Sequence, residues 1–161
     1  MDQSLKIREN VPLAPLTTLK IGGNARYFVH AESEIQVIDT VKFAAENGLK
    51  LFILGGGSNV LISDQGFDGV VLQIGLSGIQ PSEFQVSDLK SEMPRASEHG
   101  TQDSSLLTVG AGEDWDAFVG FCVANGLAGV ECLSGIPGLV GGTPVQNVGA
   151  YGQEVSETIG E

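Results

Sequence analysis

Glycine is the residue type that most constrains how this chain can fold. It accounts for 23 of the 161 residues, roughly twice the usual share, and it is concentrated in two segments, 55–59 and 135–152. The glycines follow no collagen-like period. The excess therefore indicates tight turns, or places where the backbone lies close to a ligand.

The chain is also strongly acidic. Eight Lys and Arg residues stand against 20 Asp and Glu residues, which gives a formal net charge of −12. This charge disfavours nucleic acid and anionic membranes as partners. No apolar run approaches the roughly 18 residues that a membrane span requires, so we expect a cytoplasmic protein with no membrane partner. If the ligand is phosphorylated, backbone N–H groups must supply much of the positive field.

Cysteine and histidine are too few and too scattered to predict a metal site. Cys122, Cys132, His30 and His99 show no metal-ligand spacing. The two cysteines are interpreted as core thiols of a protein in a reducing compartment. Because no Ser/His/Asp or Cys/His arrangement can be identified, no catalytic residue is predicted.

The first half of the chain predicts a lobe with mixed strands and helices. Residues 1–21 are interpreted as irregular because of Pro12 and Pro15. The apolar runs that follow are interpreted as strands at 26–30, 50–54, 60–62 and 70–72. This lobe would carry the first glycine-rich segment at the end of a strand.

A helix is predicted between the first two strands. Ser33 is its expected N-cap and Gln36, three residues later, completes a capping box. Its expected core face carries Ile38, Val41 and Ala45, with Val37 and Ala44 beside them, and the Asn-Gly pair at 47–48 ends it.

The second half begins with an acidic insertion at about 81–105, interpreted as a solvated, mobile surface loop or hairpin. A strand is predicted at 106–109. A helix then begins at the cap residue Asp114 and ends at the Asn-Gly pair 125–126, with an apolar stripe of Trp115, Phe118, Val119, Cys122 and Val123. A further strand is predicted to begin near Val155.

The first glycine-rich segment has the composition of an anion-binding loop. Gly55, Gly56 and Gly57 allow successive N–H groups to converge on an anion, and Ser58 and Asn59 add side-chain donors. An isolated motif of this kind is more often a tight turn between strands. It matches neither the P-loop nor the Rossmann glycine spacing.

The second segment has glycines next to polar side chains. Gly138, Gly141 and Gly142 would let the backbone lie against a flat ring or a pyrophosphate, and Thr143, Gln146 and Asn147 could contact ring edges. A buried irregular loop that needs glycine for packing is an equally good interpretation. Together, the two segments favour a nucleotide-type cofactor held mainly by backbone amides.

The sequence does not decide the roles of two other side chains. Arg26 could contact a phosphate, although an arginine at a strand end is more often a surface ion-pair partner. Tyr151 could stack on a ring or pack in the core.

Four motifs together resemble one enzyme family. They are TLKIGG at 18–23, LGGGSNVL at 54–61, VGAGEDW at 109–115 and IPGLVGGTPVQNVGAYG at 136–152. In this order they resemble UDP-N-acetylenolpyruvoylglucosamine reductase, also called UDP-N-acetylmuramate dehydrogenase. The resemblance covers the whole chain except the acidic insertion.

The resemblance implies an α+β, two-lobed FAD-binding fold of the vanillyl-alcohol-oxidase/PCMH type. The first lobe would be 1–72 and the start of the second 73–161. It further implies that NADPH reduces the FAD and that hydride passes to an enolpyruvyl UDP-sugar, giving UDP-N-acetylmuramate for peptidoglycan. The implied cofactor-binding residues are Gly55, Gly56, Gly57, Ser58, Asn59, Gly138, Gly141, Gly142, Thr143, Gln146, Asn147 and Gly149.

The sequence departs from the family at its end. The family's catalytic Arg, Ser and Glu lie beyond the GAYG motif, and no such positions exist here. We therefore expect the N-terminal, FAD-binding part of such a reductase, with the second lobe truncated, the substrate lobe absent and no turnover by this chain alone. The alternatives are another FAD-dependent oxidoreductase of the same fold, or a stand-alone non-catalytic nucleotide-binding module. Gly57→Val is expected to abolish flavin binding with little loss of fold.

Overall fold

The computed structural model describes residues 5–81 and 106–160. The expected insertion at 81–105, apart from Pro81, lies outside the described residues. The strands and helices are β1 Arg8–Pro12, β2 Asn24–Ala31, α1 Glu34–Glu46, β3 Lys50–Leu54, β4 Phe67–Ile74, β5 Ile79–Pro81, β6 Leu107–Val109, α2 Trp115–Ala124, α3 Thr143–Gln146, β7 Gly149–Ala150 and β8 Gln153–Glu154.

A four-stranded sheet organises the first half of the chain. Its order is β1-β2-β4-β3, with β1 antiparallel to β2 and with β4 parallel to both β2 and β3. One face packs Leu13, Phe28 and Val71 into a core cluster, and the other packs Val29 and Leu72. The predicted strands at 26–30, 50–54 and 70–72 are confirmed. Because β3 and β4 are parallel, both end at the edge of the sheet where residue 55 begins.

Two expectations about strands were wrong. Residues 60–62 form no strand; Ile62 instead packs into the core, and next to it Gly23 N–H donates to Ser63 O at 2.8 Å. Residues 1–21 were expected to be irregular but contain β1. Proline is compatible with this strand because β1 lies at the edge of the sheet and Pro12 is its last residue.

Helix α1 has the predicted cap but buries a different face. Ser33 Oγ accepts the N–H of Gln36, whose side chain reaches back to the N–H of Glu32 at 2.8 Å. The predicted core face was wrong for Ile38 and Val41, which are 51% and 44% exposed, whereas Val37 and Ala44, expected beside them, do pack inward. The buried residues are Gln36, Thr40 and Ala44.

The second half packs around α2. Asp114 caps this helix by accepting the N–H of Ala117 at 2.9 Å, as predicted. Trp115, Val119 and Cys122 are buried in a cluster with Leu133. Phe118 lies at its border, and Val123 is exposed, so the predicted stripe was too wide by this residue.

Short elements complete the structure. β5 pairs antiparallel with β6, which brings Pro81 opposite Leu107. The strand expected near Val155 was wrong, because Val155–Glu157 form a 3-10 turn directly after β8. Within residues 5–81 and 106–160, no helix is long and apolar enough to cross a membrane.

Candidate functional site: a cleft between two glycine-rich segments

The first wall of the cleft is the loop 55–59, which follows β3. Its position at the carboxyl ends of two parallel strands is where ligands bind in open sheets with parallel strands. Gly57 has φ +71°, and a Cβ there would meet the backbone of Leu16 and Thr17. Its carbonyl accepts the N–H of Thr18 at 3.0 Å. The segment 14–18 therefore packs against the loop on the side of Gly57 and supports it there.

This support corrects the expectation for Gly57→Val. The missing Cβ of Gly57 faces the N-terminal segment, where backbone atoms cannot move away cheaply. The substitution would therefore disturb the fold of the loop itself. The expectation of little structural loss was wrong, and a different glycine must be used to test the cleft.

Free backbone donors are concentrated in the first wall. Among the described residues, the N–H groups of Gly56, Gly57, Ser58 and Asn59 donate to no protein acceptor. Four successive amides without a partner are uncommon in a folded chain, where most such groups are paired. They form a local positive field without any charged side chain.

The second wall, most of 137–148, has its amides largely occupied. Val140 N–H donates to Glu113 O and Gly141 N–H to Ala111 O, both at 2.9 Å. A Cβ at Gly141 would lie 2.6 Å from Ala111 Cβ, so glycine is needed there for packing. The second segment therefore contributes shape and side chains more than backbone donors.

The two walls touch along one side. Ser58 Oγ donates to Pro137 O at 3.4 Å, and Asn59 Nδ2 donates to Gln146 Oε1 at 3.1 Å. A Cβ on Gly56 would lie 3.5 Å from Gly138 Cα. The walls thus approach each other to backbone contact, which glycine on both sides makes possible.

The cleft has a volume of about 540 Å³, within the range of small-molecule sites. Its lining consists of residues 52–60, most of 137–148, Ile74 and Ala111. Among these described residues none is ionisable. Within the described lining, the groups that can recognise an anion are therefore amide, hydroxyl and carboxamide groups.

The structure brings together ten of the twelve predicted cofactor-binding residues. Those that line the cleft are Gly55, Gly56, Gly57, Ser58, Asn59, Gly138, Gly141, Gly142, Thr143 and Gln146. Asn147 does not line it; its φ of +44° ends α3, and its side chain contacts Glu154 and the N–H of Ser156. Gly149 lies in β7 and packs against Gln153.

Sequence reasoning missed the apolar part of the lining. Ile53, Leu139 and Val145 all line the cleft, and Val145 is 85% exposed. Large apolar side chains on a surface often mark a binding site, but the sequence carried no signal for these residues, because their exposure is visible only in the folded chain.

The structure shows the surroundings of the two side chains whose roles the sequence does not decide. Arg26 Nη1 lies 3.1 Å from Asp68 Oδ1, which confirms the ion-pair interpretation. Tyr151 is 94% exposed at the turn between β7 and β8, so it does not pack in the core.

Comparison with known proteins first defines the class. The profile described as "FAD binding domain" matches residues 25–161. The chain therefore belongs to the FAD-binding domain family, and its fold is an FAD-binding fold with mixed helices and strands.

The similar relatives come from one group within that class. The chain is 46% identical over 151 residues to the UDP-N-acetylenolpyruvoylglucosamine reductase of Cutibacterium acnes, covering 94% of this chain and 36% of that protein. It is 48% identical over 147 residues to the reductase of the same name from Saccharopolyspora erythraea, covering 91% and 36%. The predicted resemblance is confirmed. The chain spans little more than a third of the length of these relatives.

A solved structure supports the same relationship. The crystal structure of UDP-N-acetylenolpyruvylglucosamine reductase from Thermus caldophilus superposes with a TM-score of 0.59 at 28% sequence identity. The match covers 96% of this chain and 46% of that one.

Proposed function

We propose that the cleft binds FAD, with the pyrophosphate against the loop 55–59. The observation that carries this proposal is the run of unpaired N–H groups from Gly56 to Asn59. A pyrophosphate offers acceptor oxygens to successive amides, and its charge interacts favourably with their aligned dipoles. Asn59 and Ser58 fix the distance between the walls through their contacts across the cleft.

The remaining lining fits the rest of such a ligand. Ile53 and Val145 offer apolar surface for a flat ring, while Thr143 and Gln146 offer polar groups at its edges. Asn147 and Gly149, also proposed as cofactor-binding, would act from behind this wall, since neither lines the cleft. The proposed fold has two lobes, 1–72 and 73–161, with the cleft between them.

We infer that the chain serves the reaction of the reductases it resembles. FAD supplies hydride transfer when bound. In the proposed reaction NADPH is the electron donor, and the enolpyruvyl double bond of a UDP-sugar receives the hydride and a proton to give UDP-N-acetylmuramate for peptidoglycan. The part of this chain is to hold FAD. A cytoplasmic location remains the prediction.

The test is an FAD titration of the chain followed by flavin fluorescence, with Gly55→Leu as the informative variant. A Cβ on Gly55 has open space, its nearest neighbour being Leu139 Cδ1 at 4.0 Å across the cleft, and its φ is not left-handed. A leucine side chain at residue 55 would fill the space between the walls. We expect the dissociation constant for FAD to rise at least tenfold.

The matched control is Gly120→Leu. Gly120 lies on α2, away from the cleft, and a Cβ there also meets nothing within 4 Å. This variant should bind FAD like the parent chain. Equal affinity of a folded Gly55→Leu variant and the control would refute the proposed site. No FAD binding by the folded parent would instead favour a non-flavin module.

A further inference from the structure

The second wall of the cleft is held in place by the start of α2. Trp115 Nε1 donates to Leu133 O at 2.9 Å, and Trp115 N–H donates to Gly138 O at 3.1 Å. These two bonds anchor the chain on either side of residues 134–137. The short segment between them leads directly into the wall.

One exposed carboxylate holds that short segment. Asp116 Oδ1 accepts the hydroxyl of Ser134 and the N–H of Gly135, both at 2.7 Å. Gly135 has φ +78°, so the chain reverses direction sharply here. Among the described residues, Ser134 and Gly135 donate hydrogen bonds to no other acceptor.

We infer that Asp116 is a positioning residue for the cofactor cleft. It touches no part of the cleft, but it fixes the turn from which Pro137 and Gly138 extend to meet Ser58 and Gly56. A shift of this turn moves Pro137 O away from Ser58 Oγ and widens the gap that Gly56 and Gly138 now close. This inference rests on the proposed FAD function.

The hydrogen bonds also act on Asp116 itself. The Ser134 hydroxyl, followed by the Gly135 N–H, lowers the pKa of the Asp116 carboxyl below its usual value. The group is therefore ionised at neutral pH, and ionised acceptors make the stronger hydrogen bonds. At neutral pH, Asp116 therefore accepts the bonds from Ser134 and Gly135 in its ionised form.

Three variants separate the role of Asp116 as acceptor for Ser134 and Gly135 from its other roles. Asp116→Ala removes the acceptor. Asp116→Asn keeps an oxygen that can accept both bonds but loses the charge that favours the N-terminus of α2. Glu131→Ala is the matched control, because the exposed Glu131 also accepts a loop N–H, that of Gly129 at 2.6 Å, away from the cleft.

The first measurement is the FAD titration of each variant. We expect Asp116→Ala to raise the dissociation constant about tenfold, roughly the low end of the effect of losing one hydrogen bond to a charged acceptor, because the lost bonds act on the cleft indirectly. Asp116→Asn should recover part of this loss, because a neutral carboxamide oxygen accepts both bonds more weakly than the carboxylate, and Glu131→Ala should bind like the parent. Parent-like affinity in Asp116→Ala, or equal losses in the Ala and Asn variants, would overturn the inference.

The second measurement needs no FAD. Amide hydrogen exchange of Val140 and Gly141, followed by NMR, reports whether the wall is loosened. Asp116→Ala should accelerate it roughly three- to tenfold, while Glu131→Ala should not. Unchanged exchange overturns the positioning role whether or not FAD binds. If the parent chain does not bind FAD, the proposed function is refuted, but the exchange measurement still tests the positioning role of Asp116.

Discussion

The two cysteines lie in very different surroundings, and their reactivities should differ accordingly. Cys122 is buried on α2, and burial raises the pKa of its thiol, whereas Cys132 is exposed, so the interpretation as a core thiol was wrong for Cys132. Because the thiolate is the reactive form, Cys132 should react rapidly with a chromogenic disulfide reagent at pH 8. Cys122 should react only as the fold opens.

The measurement is the time course of thiol release in the native chain. We expect a fast phase of one thiol, which Cys132→Ser removes, and a second thiol that becomes fast in denaturant. Two equally fast thiols in the native chain would contradict the packing of Cys122.

Gly57 should be among the glycines that the fold tolerates least. Alanine at residue 57 combines a left-handed φ with a Cβ against the backbone of Leu16. We expect Gly57→Ala to lower the free energy of unfolding by roughly 2 to 4 kcal/mol. Gly48→Ala is the matched control, since Gly48 has φ +63° but open space.

Urea midpoints of the two variants separate strain from steric conflict. Gly48→Ala carries only the backbone strain, so its loss should be about 1 kcal/mol. Equal losses in both variants would mean that the segment 14–18 does not support the loop.

These glycines show what a single residue type can predict. The run 55–57 correctly indicated a special backbone conformation next to a strand. It did not indicate which side of the loop each missing Cβ faces, because Leu16 is far away in sequence and meets Gly57 only in the folded chain.

At the scale of elements, α1 offers a direct test of which face is buried. Ala44 is buried against the sheet, while Ile38 lies on the exposed face. Ala44→Leu should overpack this contact and destabilise the chain by roughly 1 to 3 kcal/mol. Ile38→Gln should change its stability by less than about 0.5 kcal/mol.

Thermal unfolding of both variants is the measurement. A large loss for Ile38→Gln with none for Ala44→Leu would mean that Ile38, and not Ala44, faces the core. The capping residue can be tested in the same series, where Ser33→Ala should cost about 1 kcal/mol.

The face of α1 could not be predicted because two of its buried residues are polar. Thr40 Oγ1 donates to Gln36 O at 2.6 Å, and the Gln36 side chain accepts the N–H of Glu32. Side chains that satisfy their hydrogen bonds within their own helix can be buried at little cost. Hydrophobic periodicity assigns such residues to the solvent side. The helix ends and caps were predictable because they depend on neighbouring residues alone.

At the scale of the molecule, the sequence identified both walls of the cleft but not their different roles. Both segments were interpreted as sources of backbone donors. In the fold, carbonyls from Glu113 and Ala111 occupy the amides of the second wall, while those of the loop 55–59 remain free. Which carbonyl reaches which amide depends on the tertiary structure. The sequence therefore could not show that the two walls differ in their free backbone donors.

The division of roles leads to a prediction about salt. The chain carries a formal net charge of −12, and the described lining of the cleft has no cationic side chain. An anionic ligand such as FAD is therefore repelled at long range, and at short range it is held by the neutral dipoles of the described lining. Salt weakens the repulsion, since the Debye length falls from about 30 Å at 0.01 M to about 8 Å at 0.15 M, but it affects the short contacts little.

FAD should consequently bind more tightly as salt is added. We expect the dissociation constant to fall roughly three- to tenfold between 0.01 and 0.15 M NaCl. A site built on Lys or Arg contacts would show the opposite trend, because salt competes with such ion pairs. The measurement is the FAD titration repeated across this range, with uncharged riboflavin as the control ligand, whose affinity should stay constant. Weaker FAD binding at higher salt would mean that cationic groups outside the described lining contribute to the site.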